Sequence, residues 1–422
     1  MYTGLGVRPA ESADKRSRRG AVNGTVLALG ATSFFTDISS EMVAAVVPLF
    51  LTIELGFSRA AFGLFQGVYE LANALLRLVG GAIADRTRRP KETAAAGYGL
   101  STLTRAGLVG SALTGLPAVP FLIADRFGKG LRTGPRDAMI SLATPEAAWG
   151  TAFGIHRTMD AAGALIGPIL AFAILFAVPG SFDSIFVLSF GFGMVGFAVI
   201  ATKVRNPVFT TAAPPVRVPS AIRNHAKNQG FRRILAMGFV VSIFTVADSL
   251  AYLVIWDASK AASTIGTEGF GLEWFPLLFA GTAMAFLVTA TPLGRLADRI
   301  GRARMWVIGH GFLLGVYAVL LTGPTSTLAV LAVLVLLGSY YGATDGVLPA
   351  LAAGVIPEDV RSGGLALLST IVATGRMVSA VGFGLIWDRA GADIALLTAA
   401  VGLIVVLVIT ATRAIFRTPE VL

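Results

Sequence analysis

The sequence predicts an all-α integral membrane protein: twelve transmembrane helices in two pseudo-symmetric six-helix bundles, with both termini cytoplasmic. Three observations carry that prediction. The 422 residues are 55% hydrophobic and only 14% charged, with a mean hydropathy of +0.75, whereas soluble domains carry about 25% charged residues. Apolar runs near the ~20 residues that a spanning helix needs recur from end to end. The second half of the chain also repeats motifs of the first at a nearly constant offset, as expected of parallel six-helix repeats.

Hydropathy, punctuated by Gly, Pro and charge, places the spans at about 24–53, 60–83, 93–113, 117–142, 149–178, 184–203, 232–257, 271–295, 304–322, 326–353, 362–387 and 392–413. Residues 1–22 read as a cytoplasmic tail, because MYTGLGVRPAESADKRSRRG is polar and basic and lacks the apolar core and cleavage site of a secretory signal. Residues 23–204 then form the N-terminal bundle and 231–414 the C-terminal bundle. Between them 205–230 is a polar cytoplasmic loop, and 415–422 is a cytoplasmic tail.

The distribution of charge tests the orientation. Of 34 Lys and Arg, 23 fall on the segments that this topology puts inside, three (Arg59, Lys260 and Arg389) fall outside, and eight lie within spans. That imbalance follows the positive-inside rule. The net charge of +10 therefore reports orientation, and no nucleic-acid partner is expected. With no cysteine in the chain, disulfides and thiolate metal sites are excluded. No nucleophile–base pair, metal-ligand cluster or phosphate loop is present, and His156, His225 and His310 are far apart in sequence. Neither an enzyme nor a cofactor or metal site is expected.

The repeat is visible residue by residue. GAIADRTRRPK at 81–91 matches GRLADRIGRAR at 294–304, SFFTDISSE at 33–41 matches SIFTVADS at 242–249, and TPE at 144–146 matches IPE at 356–358. The doubled GxxxDRxxR string, each copy between the second and third helix of its half, resembles motif A of the major facilitator superfamily. The resemblance covers the whole chain. It implies that Gly81, Asp85, Arg86 and Arg89, and Gly294, Asp298, Arg299 and Arg302, form gating loops. Their Asp would latch a neighbouring helix end at the cytoplasmic face, and their basic residues would meet anionic lipid headgroups. The first copy departs from the family in carrying Arg88 where a glycine is usual, which puts its turn geometry in question.

Two further strings narrow the resemblance. RFGKG at 126–130 looks like the family's fourth-helix RxxxG motif, whose arginine lies in the central cavity and is linked to proton coupling. GALIGP at 163–168 resembles the fifth-helix GxxxGP motif of exporters, through Gly163, Gly167 and Pro168. Glycines four apart allow close helix approach, and proline kinks the helix. FTDISSEM together with DRFGKGLRTGPRDA looks like a bacterial branch whose substrates are mostly unassigned. The resemblance thus implies a multi-pass transporter of the inner (plasma) membrane, a small-molecule substrate and a monomer.

The residues themselves point to a polar cavity. At 100° per residue, Asp125, Arg126, Lys129, Arg132, Arg136 and Asp137 occupy one arc of roughly 140° on the fourth helix. A charge at the centre of a span costs at least about 2.5 kcal/mol, so that face needs water or partners. Either the cations hold cargo or they set the acidity of carboxylates opposite. Candidate partners are Asp37, Ser40 and Glu41 on one face of the first helix. Gln66 and Glu70 stripe the second helix, and His156 and Asp160 lie on the fifth. Asp248, Tyr252, Tyr341 and Asp345 are the polar cavity candidates of the second half, which is expected to supply more of the apolar and aromatic cargo contacts. Proton coupling is assigned to Asp37, Glu41, Glu70, Arg126 and Asp160, with His156 as either a relay or a packing residue. The expected function is a proton-coupled antiporter exporting a small organic compound. The alternative is a transporter of an organic anion clamped by the cationic stripe, and a non-transporting receptor is a remote third.

Overall fold

The computed structural model describes residues 24–115, 117–145, 148–206, 228–264, 270–356 and 361–412. Both predicted tails, most of the predicted central loop, and Glu146, Pro357 and Glu358 of the TPE and IPE strings lie outside the described residues. Within them the regular structure is helical: α1 Gly24–Leu49, α2 Arg59–Thr87, α3 Pro90–Thr114, α4 Val119–Leu142, α5 Trp149–Ala177 and α6 Phe182–Lys203 in the first half. The second half has α7 Gln229–Ile243, α8 Asp248–Thr264, α9 Phe275–Ile300, α10 Arg302–Leu321, α11 Thr327–Thr344, α12 Val347–Val355, α13 Arg361–Ala390 and α14 Ala392–Thr412. Among the described residues nine stretches are long and apolar enough to cross a membrane. The lengths of α2, α3 and α4 are also sufficient, at 29, 25 and 24 residues, but these helices are more polar.

Local sequence explains the helix ends. Pro90 opens α3, where a missing N–H costs nothing. Asn228 caps α7 by accepting the Phe231 N–H at 3.0 Å, and Ser326 caps α11 by accepting the Ala329 N–H at 3.3 Å. Gly115, at φ +72°, closes α3 in the left-handed conformation. Large apolar side chains such as Leu103, Leu113, Val288 and Leu328 are exposed on helix faces, which suits lipid as the surrounding solvent.

Two expected helices are broken. The run 232–257 divides into α7 and α8 around residues 244–247, and the run 326–353 divides into α11 and α12 at Asp345 and Gly346. Irregular backbone at membrane depth must have its polar groups satisfied by protein. Tyr317 of α10 does this at the first break, donating its hydroxyl to Phe244 O at 2.8 Å and accepting the Val246 N–H at 2.9 Å. Ser379 of α13 adds a bond to Thr245 O at 2.9 Å.

The helices group into two compact units. The first comprises Met1–Ala44 and Ala72–Pro215, and the second comprises Ala45–Leu71 and Val216–Leu422. In the first unit α3 packs most extensively on α4, and a core of Val26, Leu29, Tyr98, Met139, Ile140 and Ile200 lies near one end. In the second unit α9 packs on α11. There the start of α2 lies against α13, through close glycine approaches of Gly63 to Ala380 and of Gly384 to Arg59 and Ala60. The α2 N-terminus is capped by Asp388, whose two carboxylate oxygens accept the Arg59 and Ala60 N–H groups at 2.9 Å each. Arg59 also pairs with Asp257 at 2.7 Å and lies 5.0 Å from the Trp387 ring centre.

Candidate functional site

Glycine positions the charged face of α4. A Cβ on Gly128 would meet Ser101 and Gly97 of α3, one on Gly130 would meet Asn73 and Leu76 of α2, and Gly134 lies against Gly81 of α2. These glycines let α4 seat its small-residue face on two neighbours at backbone distance. The six charges are then held on the remaining face, in the first unit.

Their partners form two groups of different character. The first is deeply buried. Asp125 lies 3.1 Å from Arg105 of α3 and 3.2 Å from Arg126, and Arg105 also donates to Ser40 Oγ at 2.7 Å and to Ser101 O at 2.5 Å. A carboxylate between two guanidiniums inside a membrane protein holds both in place, and deleting it would leave them uncompensated. The second group is more open at Lys129–Glu41 and at Asp160, while Arg132 and Asp37 between them are buried. Lys129 Nζ donates to Glu41 Oε1 at 3.0 Å, and these side chains are 27% and 26% exposed. Arg132 reaches Asp37 of α1 at 3.5 Å and lies over the Tyr98 ring at 4.6 Å. Arg136 joins Asp137 at 3.0 Å and Asp160 of α5 at 3.4 Å, with Asp160 36% exposed.

Ser33 of α1 links this second group to the buried His156, accepting from Arg136 Nη1 at 3.3 Å and lying 3.0 Å from the imidazole Nε2 and 3.3 Å from Tyr98 Oη. His156 therefore belongs to the polar network. The approach of α5 to α1 depends on the GxxxGP string. A Cβ on Gly163 would strike Phe34 O, and one on Gly167 would come within 2.8 Å of Ile38 O and 3.1 Å of Glu41 Cβ. The same close packing brings Asp160 beside Asp37.

Not every expected residue joins this cluster. Glu70 accepts from Gln66 Nε2 at 2.9 Å and belongs to the second unit, where Arg376 and Asp248 are its electrostatic neighbours. The second unit has its own polar centre at the two helix breaks. A cavity of 270 Å³ is lined by Asp248 and Tyr252 of α8, Phe279, Thr282, Ala283 and Phe286 of α9, Tyr341 of α11, and Asp345. Tyr341 donates to Asp248 Oδ1 at 2.5 Å and Tyr252 to Thr282 Oγ1 at 2.7 Å.

Arg105, Tyr98 and Ser33 were not among the residues selected from sequence. A signal existed for Arg105, since a lone guanidinium in an apolar span demands a partner. The hydroxyls of Ser33 and Tyr98 are unremarkable in sequence.

The gating loops differ in detail. Arg88 has φ +54°, the left-handed region that glycine favours, and its counterpart Gly301 has φ +97°. The positive-φ turn is thus kept where the sequence departs from the family pattern. Asp298 pairs with Arg302 of its own motif at 3.8 Å, with both side chains exposed. Arg86, Arg89, Arg299 and Arg302 are exposed, and the Asp85 side chain lies outside the described set.

Comparison with known proteins agrees with this architecture. The Major Facilitator Superfamily profile matches residues 29–380. An uncharacterized MFS-type transporter of Methanocaldococcus jannaschii is 26% identical over 362 residues, covering 86% of this chain and 88% of that protein. Among solved structures, a variant of the nucleoside transporter NupG superposes with a TM-score of 0.78 at 13% identity, covering 93% of this chain and all of that one. A bacterial homologue of the human lysosomal transporter Spinster, inward-facing and unoccupied, gives 0.71 at 14% identity over 96% of this chain and all of that one. At these identities the structural likeness concerns the fold alone. The matched profile spans most of the sequence, and the chain belongs to the major facilitator superfamily of membrane transporters.

Proposed function

We propose that the protein is a proton-coupled antiporter that exports a small organic compound by alternating access. The observation that carries this reading is the Lys129–Glu41 pair, at 3.0 Å and with each side chain about a quarter exposed, between α4 and α1. A coupling site must be charged, paired and reachable by water. The Asp125 triad meets the first two conditions but is sealed, so its role is structural. Glu41 meets all three, and Asp37 and Asp160 stand next to it in the same network.

Protonation of Glu41 removes its attraction for Lys129, and deprotonation restores it. A rearrangement that separates α1 from α4 thereby alters proton affinity at Glu41, because the stabilising cation leaves. The close α1–α5 packing at Gly163 and Gly167 fits the exporter-like string and keeps Asp160 within reach of Asp37 as the network reorganises. Basic residues of both gating loops, exposed at the helix ends, suit anionic headgroups.

The test separates exchange from driven transport. Purified protein in vesicles with an imposed pH gradient is given an organic cation (benzyltrimethylammonium), a neutral nucleoside (uridine) and an anion (3-phenylpropionate). The wild type should accumulate at least one of them against its gradient. Glu41→Gln should retain exchange of that compound but lose pH-driven accumulation. Driven accumulation at wild-type level in Glu41→Gln would contradict the reading, as would transport indifferent to the pH gradient.

A further inference from the structure

The cavity at the two helix breaks of the second unit has a chemistry of its own. Its wall carries two carboxylates, Asp248 and Asp345, and the aromatic side chains Tyr252, Phe279, Phe286 and Tyr341. The aromatic group is a packed array, with Tyr252 and Phe279 edge to face at 4.7 Å between ring centres. It is braced by hydrogen bonds that leave the hydroxyls committed: Tyr252 to Thr282 and Tyr341 to Asp248.

Asp248 and Asp345 are not equivalent. Asp248 stands in the first turn of α8, where the positive end of the helix dipole offsets its charge, and it accepts from Tyr341. Asp345 stands at the junction of α11 and α12, where the negative end of one helix dipole meets the positive end of the next. It is exposed, and among the described residues its carboxylate has no hydrogen bond or ion pair within 4 Å. Arg376 of α13 is in electrostatic range of Asp345, Asp248 and Glu70, and it does not line the cavity. Negative charge therefore exceeds positive around the wall, and the carboxylate without a hydrogen-bonding partner places it at Asp345.

From this geometry we infer that the second-unit cavity binds an organic cation, a small amine or quaternary ammonium whose charge faces Asp345 and whose apolar body lies among Tyr252, Phe279 and Phe286. Aromatic rings and a carboxylate together recognise such ions. A bare metal ion would need several oxygen ligands, and this wall is largely carbon. At 270 Å³ the cavity is slightly below the ~300–1,000 Å³ usual for ligand sites, which limits the occupant to a compact molecule. This inference deepens the antiporter reading by naming its cargo class, and it rests on that reading only for the claim that the bound cation is transported.

Equilibrium binding to the full-length protein in detergent tests the site without transport. The probes are benzyltrimethylammonium, uridine and 3-phenylpropionate. The wild type should bind the cation in preference to the other two. Asp345→Asn should weaken that binding about tenfold or more, the loss of one charge-assisted contact, while Asp345→Glu should retain most of it. The thermal midpoint of unliganded Asp345→Asn should match wild type, because the carboxylate has no structural partner. Preference for 3-phenylpropionate, or cation affinity unchanged in Asp345→Asn, would overturn the inference. Cation binding without driven transport would instead overturn the antiporter reading and leave the site assignment intact. Proton-driven transport of the anion alone would do the reverse.

Discussion

At the scale of single residues, burial separates structural charges from working ones. Asp125 lies between two arginines and is nearly sealed, whereas Glu41 and Lys129 are each about a quarter exposed. Asp125→Asn should destabilise the protein by about 3–5 kcal/mol, the cost of breaking a buried pair on one side. Glu41→Gln should cost under about 1 kcal/mol, as for a partly solvated pair. Thermal unfolding in detergent compares them, and equal losses would remove the distinction. Arg88 gives a prediction of opposite sign. Its left-handed backbone costs about 1–2 kcal/mol for a residue with a Cβ, so Arg88→Gly should raise the unfolding midpoint, and a lowered midpoint would show that the arginine side chain contributes more than the strain. Much of this chemistry was legible in the sequence. The spacing of the α4 charges, and the acids at i and i+4 on α1, anticipated which faces would carry charge. Periodicity assigns a residue to a helix face but does not choose its tertiary partner. Glu70 was therefore grouped with Asp37 and Glu41, although it lies with Arg376 in the second unit.

At the scale of elements, helix approach is set by small residues and helix continuity by packing. Gly167 lets α5 lie against the α1 backbone beside Glu41. Gly167→Leu should destabilise by about 1–3 kcal/mol through overpacking and reduce transport, because Asp160 would be moved from Asp37. Unchanged stability and transport would show that the contact is dispensable. Helix positions were readable from hydropathy because lipid selects for apolar runs of a defined length. The break between α7 and α8 was not. Residues 244–247 read Phe-Thr-Val-Ala, with neither Pro nor Gly, and the interruption is held open by Tyr317 and Ser379 from distant helices. The break after α11 had a local signal in Gly346, but one glycine inside an apolar run does not decide a helix end.

At the scale of the whole molecule, the helices divide into two compact units with different contents. The first holds a dense network of ion pairs, and the second holds an aromatic cavity with two carboxylates. The chain passes between units within α1, after Ala44, and within α2, after Leu71, so segment 45–71 packs with the second half, contrary to its place in sequence. Arg59, Asp257 and Asp388 hold that segment. On the proposed antiporter reading, this holding point is expected to release during the transport cycle. Because the chain has no cysteine, Arg59→Cys with Asp388→Cys can be joined selectively by a short, reducible thiol crosslinker. Joining should stop transport and reduction should restore it, and full transport while joined would mean that this contact never opens. The central claim is that protons and cargo move in opposite directions through the ionisation of Glu41. The most direct measurement of it is the simultaneous flux of labelled benzyltrimethylammonium and of protons in the same vesicles. The account predicts a fixed ratio of opposing fluxes in the wild type, with cation exchange but no coupled proton flux in Glu41→Gln. A Glu41→Gln variant that keeps the wild-type ratio would contradict it.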